Sequence, residues 1–187
     1  MNILSTNFQG AILIEPTIYG DNRGFFMGSY NAARFGELGI ANQFNQDNHS
    51  LSKEPGVLRG LHYQLQPKAQ TKLVRVLAGA IYDVIVDIRK HSPTFGQWQG
   101  FILSSSNKRQ LLVPKGFAHG FCTLVPDTEV LYKVDEYYSP ENDRGILWND
   151  PSLGIDWPIS MPVLSDKDKK HPRLQDAEIN FDEEVTS

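Results

Sequence analysis

Arg59 and His62 stand three residues apart in Gly56-Val57-Leu58-Arg59-Gly60-Leu61-His62-Tyr63-Gln64, a run that otherwise has the apolar character of a buried strand. A guanidinium and an imidazole withdrawn from water need partners or a wet cavity, so the pair marks a place where polarity is kept for chemistry. Near its ordinary pKa of about 6.5 an imidazole suits proton transfer at neutral pH. Lys72 and Arg23 are further cations in or beside strand runs. Together with Arg59 they suit a diphosphate and a developing enolate oxygen. The plain alternative for His62 is a core histidine bonded to backbone.

Tyr132 is the next candidate, in Leu131-Tyr132-Lys133-Val134-Asp135-Glu136-Tyr137-Tyr138. In a regular strand Tyr132 and Tyr138 share a face, so one ring can donate a proton while the other stacks; two core tyrosines with hydroxyls at the rim are the competing reading. Parity separates Arg59 from His62, and a bulge at Gly60 is expected to bring them back together. A carboxylate on one imidazole nitrogen raises the basicity of the other. Asp168, in Leu164-Ser165-Asp166-Lys167-Asp168, is the first choice and Asp83, which interrupts an apolar strand, the second. The run around Asp168 also reads as a solvated turn. The amide-rich Phe44-Asn45-Gln46-Asp47-Asn48-His49-Ser50 reads equally as a plain loop or as a source of oriented hydrogen bonds to a ligand.

These groups must be carried by strands. Ala11–Ile14 and Phe25–Tyr30 are extended runs joined by turn chemistry at Tyr19–Gly24, which predicts a hairpin, and Asn31 caps a short helix ending before Gly39. From Val57 to Val134 one strand follows another, with β-branched residues dominating Ile81–Ile88 and no helix between them. That density predicts an all-β antiparallel sandwich or closed barrel. After Tyr138 the chain becomes a proline-punctuated wrapping segment with a helical piece, and residues 174–187 are expected to fray.

The 187 residues suit one domain: an N-terminal hairpin over 10–30, a barrel core over 43–138 and a wrapping segment over 139–187. The single cysteine, Cys122, lies among apolar residues and reads as a small buried hydrophobe. A net charge of −4 without a large basic block argues against nucleic acid, and no apolar run is long enough to span a membrane. The N-terminus lacks a basic region followed by a long apolar one, which predicts a cytoplasmic protein.

Two levels of resemblance follow from these residues. Pro114-Lys115-Gly116-Phe117-Ala118-His119 resembles the second motif of the cupin barrels, but Gln64 stands where metal-binding cupins repeat a histidine and no glutamate follows until Glu129. Two imidazoles without a carboxylate fall short of the usual three ligands, so no metal is expected. Asp21-x-Arg23-Gly24-x-Phe26, Gln46-Asp47-Asn48-x-Ser50, the Gly56–Gln64 run, Lys72-x-Val74, Asp83–Arg89, Ser92–Gly96, Val113–Phe121, Tyr132-Lys133 and Trp148-x-Asp150-Pro151 occur in the order seen in dTDP-4-dehydrorhamnose 3,5-epimerases. The resemblance spans about residues 10 to 170 and implies a cupin-type double-stranded β-helix, or jelly-roll barrel, with a few short peripheral helices. It further implies a homodimer acting without metal or cofactor on a dTDP-linked 4-keto-6-deoxy sugar, at C3 and C5, in dTDP-rhamnose biosynthesis.

Carried over by position, His62 resembles the base held by Asp168, Tyr132 the acid on the opposite face of the sugar, and Lys72 the cation near the keto oxygen. Arg59 and His119 resemble groups lining the substrate site, Lys167 a further contact, and Tyr138 the thymine-stacking ring. Arg23, Gln46, Asp47 and Asn48 resemble the family's nucleotide-contacting positions, and Phe26 resembles a further substrate contact. Gly28 stands where the family commonly has a glutamate, and Asp143 replaces another glutamate near the C-terminal segment. A single-carbon epimerase, a ketoisomerase on a related nucleotide 4-keto sugar, or a non-catalytic sugar-binding cupin would share these motifs.

Overall fold

The computed structural model describes residues 1–182. Strands β1 (Asn2–Leu4) and β2 (Ile12–Glu15) precede a small exposed hairpin of β3 (Tyr19–Asp21) and β4 (Gly24–Phe26), followed by helix α1 (Ala32–Glu37). The barrel proper comprises β5 (Gln46–Ser52), β6 (Leu58–Gln64), β7 (Lys72–Ala78), β8 (Ala80–Asp87), β9 (Trp98–Ser104), β10 (Gln110–Val113), β11 (Phe117–Thr123) and β12 (Thr128–Val134), and β13 (Asp143–Gly145) joins at its rim. One sheet has the order β1-β2-β10-β7-β12-β5 and the other β13-β6-β11-β8-β9, with antiparallel pairings within each. This is the all-β, cupin-type jelly roll expected.

The alternation along each strand explains why these sequences fold this way. On β8, Ile81, Asp83 and Ile85 point between the sheets, while Val84 and Val86 point outward under the C-terminal segment. Val74, Val76, Leu111, Val130 and Phe121 complete the inner apolar cluster. The outer face of the larger sheet, with Ile14, Leu73 and Leu112, is covered by Phe35 of α1 and by Ile40. The outer face of the smaller sheet, with Leu61, Val84 and Ala118, is covered by Ile146, Leu153, Trp157 and Phe181. Strands covered on both faces read as near-continuous apolar runs, and each buried aliphatic side chain contributes roughly 1.5–3 kcal/mol.

Several local expectations change. The Ala11–Ile14 run pairs with β1 and β10, not with Phe25–Tyr30, and the hairpin is the smaller β3–β4 unit, which ends at Phe26. The amide-rich stretch is strand β5, paired along its length with β12. Its polarity misled because one face meets solvent and the other the barrel mouth. The helix forms as expected: Asn31 Oδ1 accepts from the Arg34 amide at 3.1 Å, and Gly39 turns the chain at φ +81°.

The C-terminal segment is anchored rather than frayed as far as residue 182. Phe181 is buried, its carbonyl accepts from the Lys90 amide at 3.0 Å, and the helical piece is two 3-10 turns, Asp168–Lys170 and Leu174–Asp176. The last part of the 174–187 tail lies outside the described residues. Cys122 is buried, with its thiol pushed up to about 11 by desolvation.

Candidate active site

Four strands, β6, β7, β11 and β12, and one turn build the site. The bulge expected at Gly60 is present: between the pairs His119–His62 and Phe121–Arg59, β6 spends one more residue than β11. Only glycine fits there, because φ is +131° and a Cβ would stand 2.5 Å from the Gly120 Cα. Arg59 and His62 consequently line one cavity of about 440 Å³ together with Lys72, His119, Tyr132, Lys167 and Asp168. An adjoining recess of about 240 Å³ shares His62, Lys72, Tyr132 and Lys167 and adds Tyr138 and Asp143. His62 projects from the smaller sheet and Tyr132 from the larger one, so the two face each other across the lumen.

Asp168 reaches His62 because the wrapping segment is clamped onto the start of β6. Leu58 N donates to the Val163 carbonyl at 3.0 Å, Val163 N donates to the Gly56 carbonyl at 2.9 Å, and Val57 and Val163 form a parallel bridge. The following turn, in which the Asp168 amide donates to Ser165 Oγ at 3.1 Å, presents the carboxylate to His62 Nε2 at 2.6 Å. Asp83, the second choice from the sequence, instead holds His119, with its two oxygens 2.9 and 3.0 Å from Nε2.

Burial lowers the pKa of His62, with Lys72 and the neighbouring His171 adding to that, and these outweigh the opposing pull of Asp168. The ring is therefore neutral at pH 7, with its proton on Nε2 toward the carboxylate and its Nδ1 lone pair free to accept another. Burial would raise Asp168, but the adjoining His171 and His62 rings, 3.4 and 2.6 Å from its Oδ1, hold the carboxyl well below the usual carboxylate range. Burial lowers Lys72 to about 8 against the attraction of Asp143 and Asp83. Its one direct polar contact among the described residues is the His62 carbonyl at 3.4 Å, so a largely protonated ammonium has capacity left for an anionic oxygen. Burial raises Tyr132, with Asp143 reinforcing it and Arg59 opposing, so the phenol keeps its proton.

Other expected contacts divide. Tyr138 donates to Asp143 Oδ2 at 2.9 Å and Lys167 pairs with the same oxygen, so Asp143 organises the recess. The two tyrosines do meet at the recess, but not through strand parity, since β12 ends at Val134. On β5, Gln46 and Asn48 bond each other at 2.8 Å, whereas Asp47 points to the other face and pairs with Lys133 at 2.9 Å. Arg23 and Phe26 sit apart on the β3–β4 hairpin: Arg23 pairs with Asp21 at 2.6 Å, and Phe26 is 73% exposed. Neither lines the cavity of its own chain. A side chain at Gly28 would meet open space.

Sequence reasoning missed His171 and did not single out Ser50 Oγ, a buried hydroxyl at the cavity without a hydrogen-bond partner among the described residues. His171 is hidden in the charged run Lys167–His171, whose composition reads as solvated turn. With it, the ligand count that looked short for a metal is met by His62, Asp168 and His171, whose ligand atoms lie within 4.8 Å of one another. Donors around a tetrahedral ion stand roughly 3.3 Å apart, wider than the 2.6 Å between His62 and Asp168, so the pair as built shares a proton.

The family described as dTDP-4-dehydrorhamnose 3,5-epimerase matches residues 5–176. The chain is 54% identical over 179 residues to the dTDP-4-dehydrorhamnose 3,5-epimerase of Salmonella typhimurium, covering 95% of this chain and 97% of that one. Its fold is similar to that of the Bacillus anthracis dTDP-4-dehydrorhamnose 3,5-epimerase with TDP and pyrophosphate bound, at TM-score 0.91 and 62% identity over 92% of this chain and 98% of that one. It is also similar to the Legionella pneumophila dTDP-6-deoxy-D-glucose-3,5-epimerase in complex with dTDP-4-keto-L-rhamnose, at TM-score 0.89 and 54% identity, covering 93% of each chain.

Proposed function

This chain belongs to the dTDP-4-dehydrorhamnose 3,5-epimerase family, and from that premise we propose that its cavity epimerises dTDP-4-dehydro-6-deoxy-D-glucose at C3 and C5. The observation that carries this reading is the opposed pair: a neutral imidazole on one sheet and a protonated phenol on the facing one, with an ammonium beside the imidazole.

A C–H next to a ketone loses its proton readily only if the enolate oxygen is stabilised as it forms. His62 takes the proton through the nitrogen that Asp168 leaves free, and Lys72 supports the oxygen. Tyr132 returns a proton from the other side, which inverts the carbon. The recess of Tyr138, Asp143 and Lys167 suits the nucleotide end of the substrate, and Arg59 and His119 suit the sugar and its phosphates. The barrel and the wrapping segment act as one catalytic unit in this reading, since His62 comes from the first and Asp168 from the second.

The protein acts as a homodimer in this proposal. Arg23 resembles a nucleotide-contacting position of the family and Phe26 a substrate contact, yet both stand away from their own cavity, on a hairpin that also exposes Tyr19 and Phe25. Laying that hairpin over the cavity of a second copy would bury the apolar residues and bring both side chains to the substrate. No helix among the described residues is long and apolar enough to cross a membrane, and a nucleotide-linked substrate fits a cytoplasmic setting.

Incubation with dTDP-4-keto-6-deoxy-glucose in heavy water, read by NMR, tests the reaction. Deuterium at both C3 and C5 of an inverted product is expected. Label at one carbon alone would make this a single-carbon epimerase, and tight binding without label would make it a binding protein.

A further inference from the structure

We propose that His171 is a positioning residue for the base, holding Asp168 in the orientation that bonds His62. The inference rests on His62 being the base. The His171 side chain is 9% exposed, and its Nε2 stands 3.4 Å from Asp168 Oδ1, the same oxygen that His62 meets at 2.6 Å. That nitrogen is buried and has no aligned hydrogen bond among the described residues. Its ring also meets the His62 ring edge-on, with centroids 5.5 Å apart at 75°.

The seat for this ring is built into β13. Gly145 is the register partner of His62, and a Cβ at Gly145 would stand 2.4 Å from the His171 Nε2 and Cε1. The next residue is fixed as well, because the Pro172 carbonyl accepts from the Leu147 amide at 2.8 Å. A buried, poorly satisfied imidazole destabilises a fold unless something is gained from it. Here the gain is that Asp168 Oδ1 is confined between two rings and cannot swing away from His62. The other charged groups facing this cluster are Lys72 from β7, Asp143 from β13 and Lys167 from the turn itself. His171 touches no reacting atom in this account; it acts through Asp168.

His171→Phe fills the same space without an N–H. It is expected to lower kcat about tenfold while KM stays within about twofold, the size seen when an orienting partner is lost. The acid limb of kcat/KM should move up by about half a pH unit, because the carboxylate then acts on His62 alone and a competing ring is gone. His171→Gln, whose amide N–H can occupy the Nε2 position, should restore most of kcat and return the limb. Gly145→Ala, whose methyl displaces the ring, reaches the same state by a second route and should reproduce both effects should the Phe variant not fold by circular dichroism.

Unchanged kcat, an unmoved limb, or equal impairment in the Phe and Gln variants would overturn the proposal. His62→Ala run in parallel separates the two levels. Exchange surviving in His62→Ala would remove the base itself. Exchange lost there, with His171→Phe behaving as wild type, would remove only His171.

Discussion

Two imidazoles line one cavity and each bonds a carboxylate at a similar distance, His62 with Asp168 at its wall and His119 with Asp83 buried behind it. Their surroundings differ. His119 and Asp83 come from adjacent strands of one sheet, with side chains 6% and 0% exposed, and Asp83 grips the ring with both oxygens. His62 keeps 32% of its side chain open to the cavity and faces Tyr132, and its carboxylate arrives from a separate segment through a single oxygen. A proton-transfer group must move with the substrate and change charge during turnover; a group locked between strands can touch a substrate from the cavity wall but does this less easily. The chemistry of the two pairs is alike; what differs is that the His62 pair is the more open one, as the proton transfer proposed above requires.

The sharpest test of that difference is His62→Ala, which should abolish turnover and C5 solvent-proton exchange alike; retained exchange would hand the role of base to His119 or another group. The next largest contrast is between the two carboxylates. Asp168→Asn should lower kcat by about 10³, as expected when an imidazole loses the partner that sets its tautomer, with little change in melting temperature. Asp83→Asn should do the reverse, destabilising the fold by about 2 kcal/mol because a fully buried partner is lost, or about 6 °C in Tm for a chain of this size. If both variants lose activity equally and neither loses stability, the distinction drawn here is wrong.

A moderate effect is expected from Tyr132→Phe: deuterium exchange continues but inverted product falls, and normal inversion would place the acid elsewhere. The smallest effect is in the pH profile of the wild type. His62 must be neutral to accept a proton and its pKa lies below 6.5, so the acid limb of kcat/KM should fall below 6.5; Lys72 must be protonated, so activity should decline above about 8. An acid limb above 6.5 would point to a base less buried than His62.

How much of this was legible beforehand depends on the range of the interaction. The β6 run, its bulge at Gly60 and the inward Lys72 and Tyr132 could be read because glycine chemistry and period-two alternation are local. Asp168, not Asp83, meets His62, and the partnership of Asp83 with His119 depends on strand register, which the sequence does not display. The β5 strand was hidden by its polarity, and β1 by its length of three residues. His171 was illegible because its burial is set by the absence of a side chain at Gly145, 26 positions earlier by residue number. Asp47 matched the family pattern, yet strand parity turns it toward Lys133 and away from the cavity.

The clamp between Val163 and the start of β6 means that His62 acquires its carboxylate from chain that follows every barrel strand. During synthesis the N-terminal portions emerge first, so a barrel already paired on the ribosome holds an imidazole that is not yet competent. On the reading proposed above the chemistry is completed last, and a truncation ahead of Val163 would both take Asp168 from His62 and uncover the part of the smaller sheet that Phe181 covers.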